Sequence, residues 1–374
     1  VSAKKAEPDM SGLDNVTLAG KEGWFAYVNA PKRPRPERLT VRGIRKLGDV
    51  AADEYLQRRC QWHSNMGPYF TPQSAQLHKR LNVVMEADVH KDGWVTKDAV
   101  AIDGLPGLGK TTTVHAFAKK FHDREIRRHG MYTAAGDERI PVLRVGMRGN
   151  TGMTAFNRAA CDYYAHPGRR CHDVDELGRR VMTLVRLCET RLFIIDDVHF
   201  LHWQRDGGVE LNNHFKYIAN ECPVTVVVIG IGLAERGLLR AGTAQESLAQ
   251  TARNTTEYGF FGYRNTTARE QRQWRELLAS IDDDIVLARH EPGTLVEVAD
   301  YLYARSGGHI GSLLTLIRRG CAAAILEGSE ALTIKLFESI MIDSAAERAR
   351  AELHAAYGTR PQATKILERY GCSA

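Results

Sequence analysis

Short apolar runs separated by longer amphipathic stretches set the pattern of the middle of the chain. Ala99–Asp103, Ile140–Val145, Leu192–Ile195 and Val224–Ile229 are nearly uninterrupted apolar runs of four to six residues. Such runs fit strands buried on both faces of a parallel sheet. Between them, Thr111–His122, Thr154–Tyr164 and Asp175–Cys188 show helical spacing. Strands alternating with helices predict βαβ units with right-handed crossovers.

Two helices are predicted ahead of the sheet, over residues 49–66 and 71–89. Asp49 can cap the first, and Thr71 followed by Pro72 opens the second. Leu77, Leu81, Val84 and Met85 share one face of the second helix. Both helices are expected to pack beside the sheet. After Leu278 the pattern turns helical, over Glu291–Ser306, Ile310–Glu327 and Thr333–Leu353. The expected fold class is α/β: a central parallel sheet flanked by helices, with a small C-terminal helical lid. The expected divisions are an N-terminal arm (1–48), an α/β domain with its leading helices (49–278), the lid (279–358) and a tail (359–374).

Composition narrows this picture without redirecting it. The 374 residues are 43% hydrophobic and 26% charged, as in an ordinary globular protein. A core of that size needs no disulfide or metal staple. No apolar run approaches the roughly 18–20 residues that span a bilayer, so no membrane partner is expected. Val1–Met10 is polar and does not read as a secretory signal. The seven cysteines include no Cys-x-x-Cys pair, which predicts reduced thiols in a cytoplasmic setting. Cys171-His172 lacks a second pair at zinc-like spacing.

Net charge is +6, which permits a polyanionic partner without requiring one. The stretch Pro31–Arg38 mixes prolines with basic residues, and Arg42, Arg45 and Lys46 continue it. Proline blocks regular structure, so a flexible, extended basic arm is expected. It reads equally as a phosphate-neutralising nucleic-acid arm or a solvated linker.

The clearest chemistry follows the first apolar run. Gly104-Leu-Pro-Gly-Leu-Gly-Lys-Thr111 satisfies G-x-x-x-x-G-K-[ST] at every fixed position, between a predicted strand and a predicted helix. In such a loop, glycines let the backbone wrap close to phosphates while N–H groups point at the anion. The motif predicts a P-loop nucleotide site for ATP, built from Gly104, Pro106, Gly107, Leu108, Gly109, Lys110, Thr111 and Thr112. Lys110 would reach the β- and γ-phosphates, and the Thr111 hydroxyl would face Mg²⁺. The third run ends in Asp196-Asp197. Asp196 is expected to be the second metal-side group, and Asp197 the carboxylate that orients and deprotonates water. Aspartate reaches one methylene less far than the more usual glutamate, so slow hydrolysis is expected. His199 is expected to be structural; Phe200 and Trp203 are expected in a core or interface. The fourth run ends in Gly230-Ile231, where a polar γ-phosphate sensor would be expected. Arg253 stands where an arginine finger reaching a neighbouring subunit could sit.

With these residues in view, the chain resembles the TniB/TnsC group of AAA+ transposition ATPases, relatives of the MuB and IstB target-selection proteins. The resemblance covers roughly residues 70–340. It rests on Gly104–Thr112, on Ile195-Asp-Asp-Val-His-Phe-Leu201 and on Leu211-Asn-Asn-His-Phe-Lys-Tyr-Ile-Ala-Asn-Glu221. It rests also on the lid segment Ser306-Gly-Gly-His-Ile-Gly-Ser312, with an Ala-rich helix and Gly328 behind it. Asp197 and Gly230 depart from the group's usual pattern.

The resemblance implies an AAA+ ATPase of the bacterial cytosol, associated with the nucleoid. With ATP it would assemble as a ring or filament on double-stranded DNA. It would recruit a transposase, with an adaptor protein as a further possible partner, and hydrolysis would dismantle the assembly. The loop after the second strand would face the duplex, with Arg148, Asn150 and Thr151 touching phosphates; Lys216 is expected at a subunit interface. Two other readings remain open: a helicase-loader type of ATPase, and a nucleotide-operated switch that binds protein partners. About forty residues follow Leu332, fewer than the ~50 of a small domain, so a further domain after the lid is not expected.

Overall fold

A computed structural model of the chain describes residues 13, 15–147, 152–171, 173–198, 217–218, 221–233 and 255–348. The apolar runs form strands β1 (Ala99–Gly104), β2 (Val142–Gly146), β3 (Leu192–Asp196) and β4 (Thr225–Gly230). A fifth strand, β5 (Thr255–Phe260), completes a parallel sheet of order β2-β3-β4-β1-β5. β3 and β4 are buried at every position, as interior strands covered on both faces should be. β5 was not legible in the sequence. It lies at the sheet edge and fully buries only Phe260, so Thr-Thr-Glu-Tyr-Gly-Phe shows neither an apolar run nor a clean alternation.

Helices α4 (Pro72–Val89), α5 (Lys110–His129), α6 (Met153–Tyr163) and α7 (Val174–Leu187) belong to the sheet domain. α4 opens as expected: Thr71 and Ser74 exchange side-chain-to-backbone hydrogen bonds in a capping box, and Pro72 sits in the first turn. Leu81, Met85, Phe117, Phe121, Phe156, Phe193 and Ile194 fall in one continuous core around the sheet.

The segment expected as a flexible arm is largely structured. Lys21–Asn29 forms helix α1 and Val41–Arg45 the short helix α2. Trp24 and Val28, one turn apart, enter the sheet-domain core, and Trp24 Nε1 donates to His122 Nδ1 of α5 at 3.2 Å. Pro31–Arg38 is extended, as its prolines require, but it is tethered. Arg35 donates to the Asp283 carbonyl at 2.6 Å, and Arg38 donates to the His290 carbonyl. The Tyr55 hydroxyl donates to the Glu37 carbonyl at 2.8 Å. Sequence alone could not show this, because both arginine tethers end on main-chain carbonyls some 250 residues away.

The lid comprises α8 (Ala268–Asp282), α9 (Thr294–Glu297), α10 (Ala299–Ser306), α11 (Ile310–Leu326) and α12 (Ile334–Ser339); it starts ahead of the expected boundary at 279, because Trp274, Leu277 and Leu278 pack in its core. Two predicted helices are broken. The first starts only at Thr294, after Pro292 and Gly293 (φ +92°), and is broken at Val298, between α9 and α10. The second stops at Ser339, and Asp343 then caps a new turn by accepting from the Ala345 and Ala346 N–H groups. Trp274, Leu278, Tyr303, Leu313, Ile317 and Phe337 form the lid's own core.

Helix α3 (Asp49–Ser64) also departs from expectation. It packs on the lid rather than on the sheet, through Leu56, Cys60 and the following Met66. A buried Arg59–Glu330 ion pair at 2.6 Å fixes the contact. His63 Nε2 accepts the Val286 N–H at 3.0 Å, and Trp62 Nε1 donates to the Asp284 carbonyl at 2.7 Å. No single helix among the described residues is long and apolar enough to cross a membrane.

Candidate nucleotide site

Gly104–Thr112 joins β1 to α5. Gly104, Gly107 and Gly109 have φ values of +157°, +73° and +86°. At Gly104 a Cβ would lie 2.4 Å from the Phe260 carbonyl oxygen of neighbouring β5, so only glycine fits. The left-handed turns make the kind of concavity in which backbone N–H groups face an anion. α5 begins at Lys110, which brings the free N–H groups of its first turn to the same place. Lys110 Nζ donates to the Gly104 and Leu105 carbonyls at 2.5 and 2.7 Å. Burial pushes its pKa down, while Asp103, Asp196 and Asp197 pull it back up.

Asp196 closes β3 and is almost fully buried. Its Oδ1 accepts the Thr111 hydroxyl at 3.1 Å and the Asp197 N–H at 3.0 Å. Its Oδ2 faces Arg144 of β2 at 3.2 Å. β4 lies between β1 and β3, so the Thr111–Asp196 approach spans an intervening strand. A hydroxyl and a carboxylate are hard oxygen donors of the kind Mg²⁺ takes beside substrate phosphates. The residues therefore fit both a triphosphate and its metal.

Asp197 sits at φ +61°. Asp is among the few side chains enriched in this left-handed region, and strain of this kind collects at functional sites. It lines a cavity of about 740 Å³, within the ~300–1,000 Å³ of ordinary ligand pockets. The P-loop, Gly230, Ile231, the Ser64–Tyr69 segment and lid helix α11 form the other walls.

The structure gives a reason for the absent polar sensor. A Cβ on Gly230 would lie 2.3 Å from Leu233 Cδ2 and 2.8 Å from Val198 Cγ2, so a side chain there would require both of these side chains to shift. The Asp103 carboxylate at the end of β1 instead holds the turn, accepting the Gly232 and Leu233 N–H groups at 2.7 and 3.0 Å.

Several residues of the site, two of them lining the cavity, were missed by sequence reasoning. Gly311 at the start of α11 donates its N–H to the Gly107 carbonyl at 2.8 Å. Two turns further along α11, Arg318 donates to the Met66 carbonyl. The lid thus touches both the P-loop and the segment between α3 and α4. Gly311 lay within a recognised motif but had no assigned role; Arg318 had no local signal. Arg144 carried one, as a lone charge in an apolar strand run. The expected finger Arg253, the expected DNA contacts Arg148, Asn150 and Thr151, and His199, Phe200, Trp203 and Lys216 lie outside the described residues.

Fold and site together define the class: an AAA+ P-loop ATPase. Among solved structures the chain is similar to the Aeropyrum pernix ORC1 protein in complex with DNA, at 18% identity and TM-score 0.57, over 80% of this chain and 71% of that one. It is similar to the Aeropyrum pernix ORC2 protein at 14% identity and TM-score 0.55, over 82% and 84%. Cdc6p from Pyrobaculum aerophilum matches at 14% identity and TM-score 0.55, over 84% and 85%. These identities establish the fold alone. No curated protein matches the chain. Residues 69–244 match the family model of the bacterial TniB protein, and the resemblance to the TniB group is borne out over that stretch.

Proposed function

We propose that the chain is an ATP-dependent, DNA-binding regulator of DNA transposition in the bacterial cytosol. It assembles as a homo-oligomer on double-stranded target DNA when ATP is bound. The assembly recruits a transposase, directly or through an adaptor protein, and hydrolysis of ATP to ADP and phosphate takes it apart. The observation that carries this reading is the Thr111–Asp196 approach beneath a complete P-loop, inside a module that matches the TniB family.

In this mechanism the P-loop N–H groups and Lys110 hold the phosphates. Thr111 and Asp196 would hold Mg²⁺, which neutralises charge on the phosphate oxygens when bound. Asp197 lines the same cavity and orients the attacking water, taking its proton. Arg253 from a neighbouring subunit would stabilise charge on the transferring phosphoryl group. Arg148, Asn150 and Thr151 would position the duplex through its phosphates. The lid contact of Gly311 with Gly107 gives a direct path from phosphate occupancy to lid position.

Negative-stain electron microscopy of the protein with linear duplex DNA tests the reading. Rings or filaments on DNA with a slowly hydrolysed ATP analogue, and their absence with ADP, are expected. A monomer that ignores DNA in both states would overturn it and favour a protein-binding switch.

A further inference from the structure

β2 reads Val-Leu-Arg-Val-Gly, and Val142, Leu143 and Val145 are buried. A charge in such a strand is unfavourable unless it is paired. Arg144 is paired, with the carboxylate expected to serve the metal: its Nη2 stands 3.2 Å from Asp196 Oδ2. Its Nε is buried with no hydrogen-bond partner among the described residues, and the Asp196 carboxylate is its ion-pair partner there. The Arg144 side chain is still 18% exposed, and its guanidinium runs along the strand to Gly146, whose Cβ position is 3.3 Å from Nη1. The side chain thus lies partly at the surface, unlike the Asp196 carboxylate it faces, which is 1% exposed.

Asp196 cannot keep full contact with a guanidinium and serve a divalent cation equally well, because two cations at one carboxylate repel strongly where the local dielectric is low. We propose that Arg144 is the resident counter-cation of Asp196, exchanged for the metal when metal-nucleotide binds; this rests on the ATPase reading above. Arg144 is a positioning residue, not a catalytic one. It keeps a buried carboxylate satisfied before the metal arrives and lowers the site's affinity for the metal. The exchange also bears on the end of β2, where the Met147 N–H donates to the Asp196 carbonyl at 2.8 Å.

The test is the free Mg²⁺ needed for binding of a fluorescent ATP analogue, titrated upward from EDTA, in the full chain and in Arg144→Gln. Loss of the competing cation should lower the half-saturating Mg²⁺ about ten-fold, whereas damage to a merely structural residue would raise it. Arg144→Lys, which restores the charge, should bring the value back toward that of the unaltered chain. An Mg²⁺ requirement that is unchanged or raised in Arg144→Gln overturns the proposal. Arg144→Met repeats the measurement if the Gln variant does not fold, and failure of both to fold assigns Arg144 a structural role instead. An unaltered chain that binds no analogue at any Mg²⁺ concentration overturns the ATPase reading itself, and this proposal with it.

Discussion

Lys110 and Asp197 share one cavity but have different roles in the proposed mechanism, and single substitutions should separate them. Lys110→Ala removes the one cation of the P-loop, so nucleotide binding and any ATP-dependent assembly on DNA should both be lost, as read by equilibrium binding and microscopy. Asp197→Asn keeps the side chain's size and its tolerance of φ +61°. It should leave binding within a few-fold while slowing phosphate release by about 10²–10⁴-fold. Comparable rates for Asp197→Asn and the unaltered chain would remove Asp197 from the catalytic role. The left-handed backbone also gives a physical reason for aspartate where glutamate is more usual, since the shorter side chain is the better tolerated there. From the sequence Asp197 was expected to orient water, but the choice of aspartate over glutamate had no explanation there.

At the scale of elements, the lid is stitched to the chain's N-terminal part by polar side chains meeting main-chain groups. The Arg59–Glu330 pair is the charged centre of that seam, with both side chains buried. Its Glu330 carboxylate also accepts the Ala288 N–H at 3.0 Å. Arg59→Ala leaves a buried carboxylate uncompensated and should cost about 3–5 kcal/mol. The loss should appear in denaturant unfolding as early release of the lid while the sheet domain persists. Coincident loss of both would show that the two cores unfold as one unit. Trp24→Ala should cost about 3–5 kcal/mol, seen as a lower melting temperature, because Trp24 is fully buried in the sheet-domain core. A truly flexible arm would show no change. The sequence could not distinguish these cases: α1 is a nine-residue helix, and prolines and arginines follow it. Its helical signal is short, and its partners lie on α5. β5 was hidden for a related reason: its place comes from pairing with β1, not from its own apolarity.

Over the whole molecule, buried histidines set an acid limit on stability. Burial pushes His63, His115 and His122 down to about 4, against about 6.5 in an unfolded chain. Above pH 6.5 both states hold these rings neutral and no penalty arises. As pH falls from about 6.5 toward 4 the unfolded chain takes up protons that the folded one refuses, so unfolding is favoured. The melting temperature should hold between pH 7 and 8 and drop steadily below 6.5. A flat profile down to pH 4.5 would show that these rings are not held neutral. DNA binding belongs to the same scale: if basic groups track the phosphate backbone, affinity should fall steeply and log-linearly with salt.

The sequence by itself determined the parallel α/β core, the P-loop and the acidic end of β3. Each of these depends on a local signal: an apolar run that is buried on both faces, or fixed residue spacings along a few turns of backbone. Only the tertiary structure decided which groups meet. Thr111 reaches Asp196 because the strand order sets β3 two places from β1. Arg144 faces Asp196 because β2 pairs with β3 in a register that puts Gly146 opposite Asp196. Gly311 reaches Gly107 because the lid folds back over the loop. The supposed arm is anchored because its donors find carbonyls on the distant lid. Contacts between residues far apart in sequence depend on strand order, register and lid closure, and one-dimensional periodicity carries none of these.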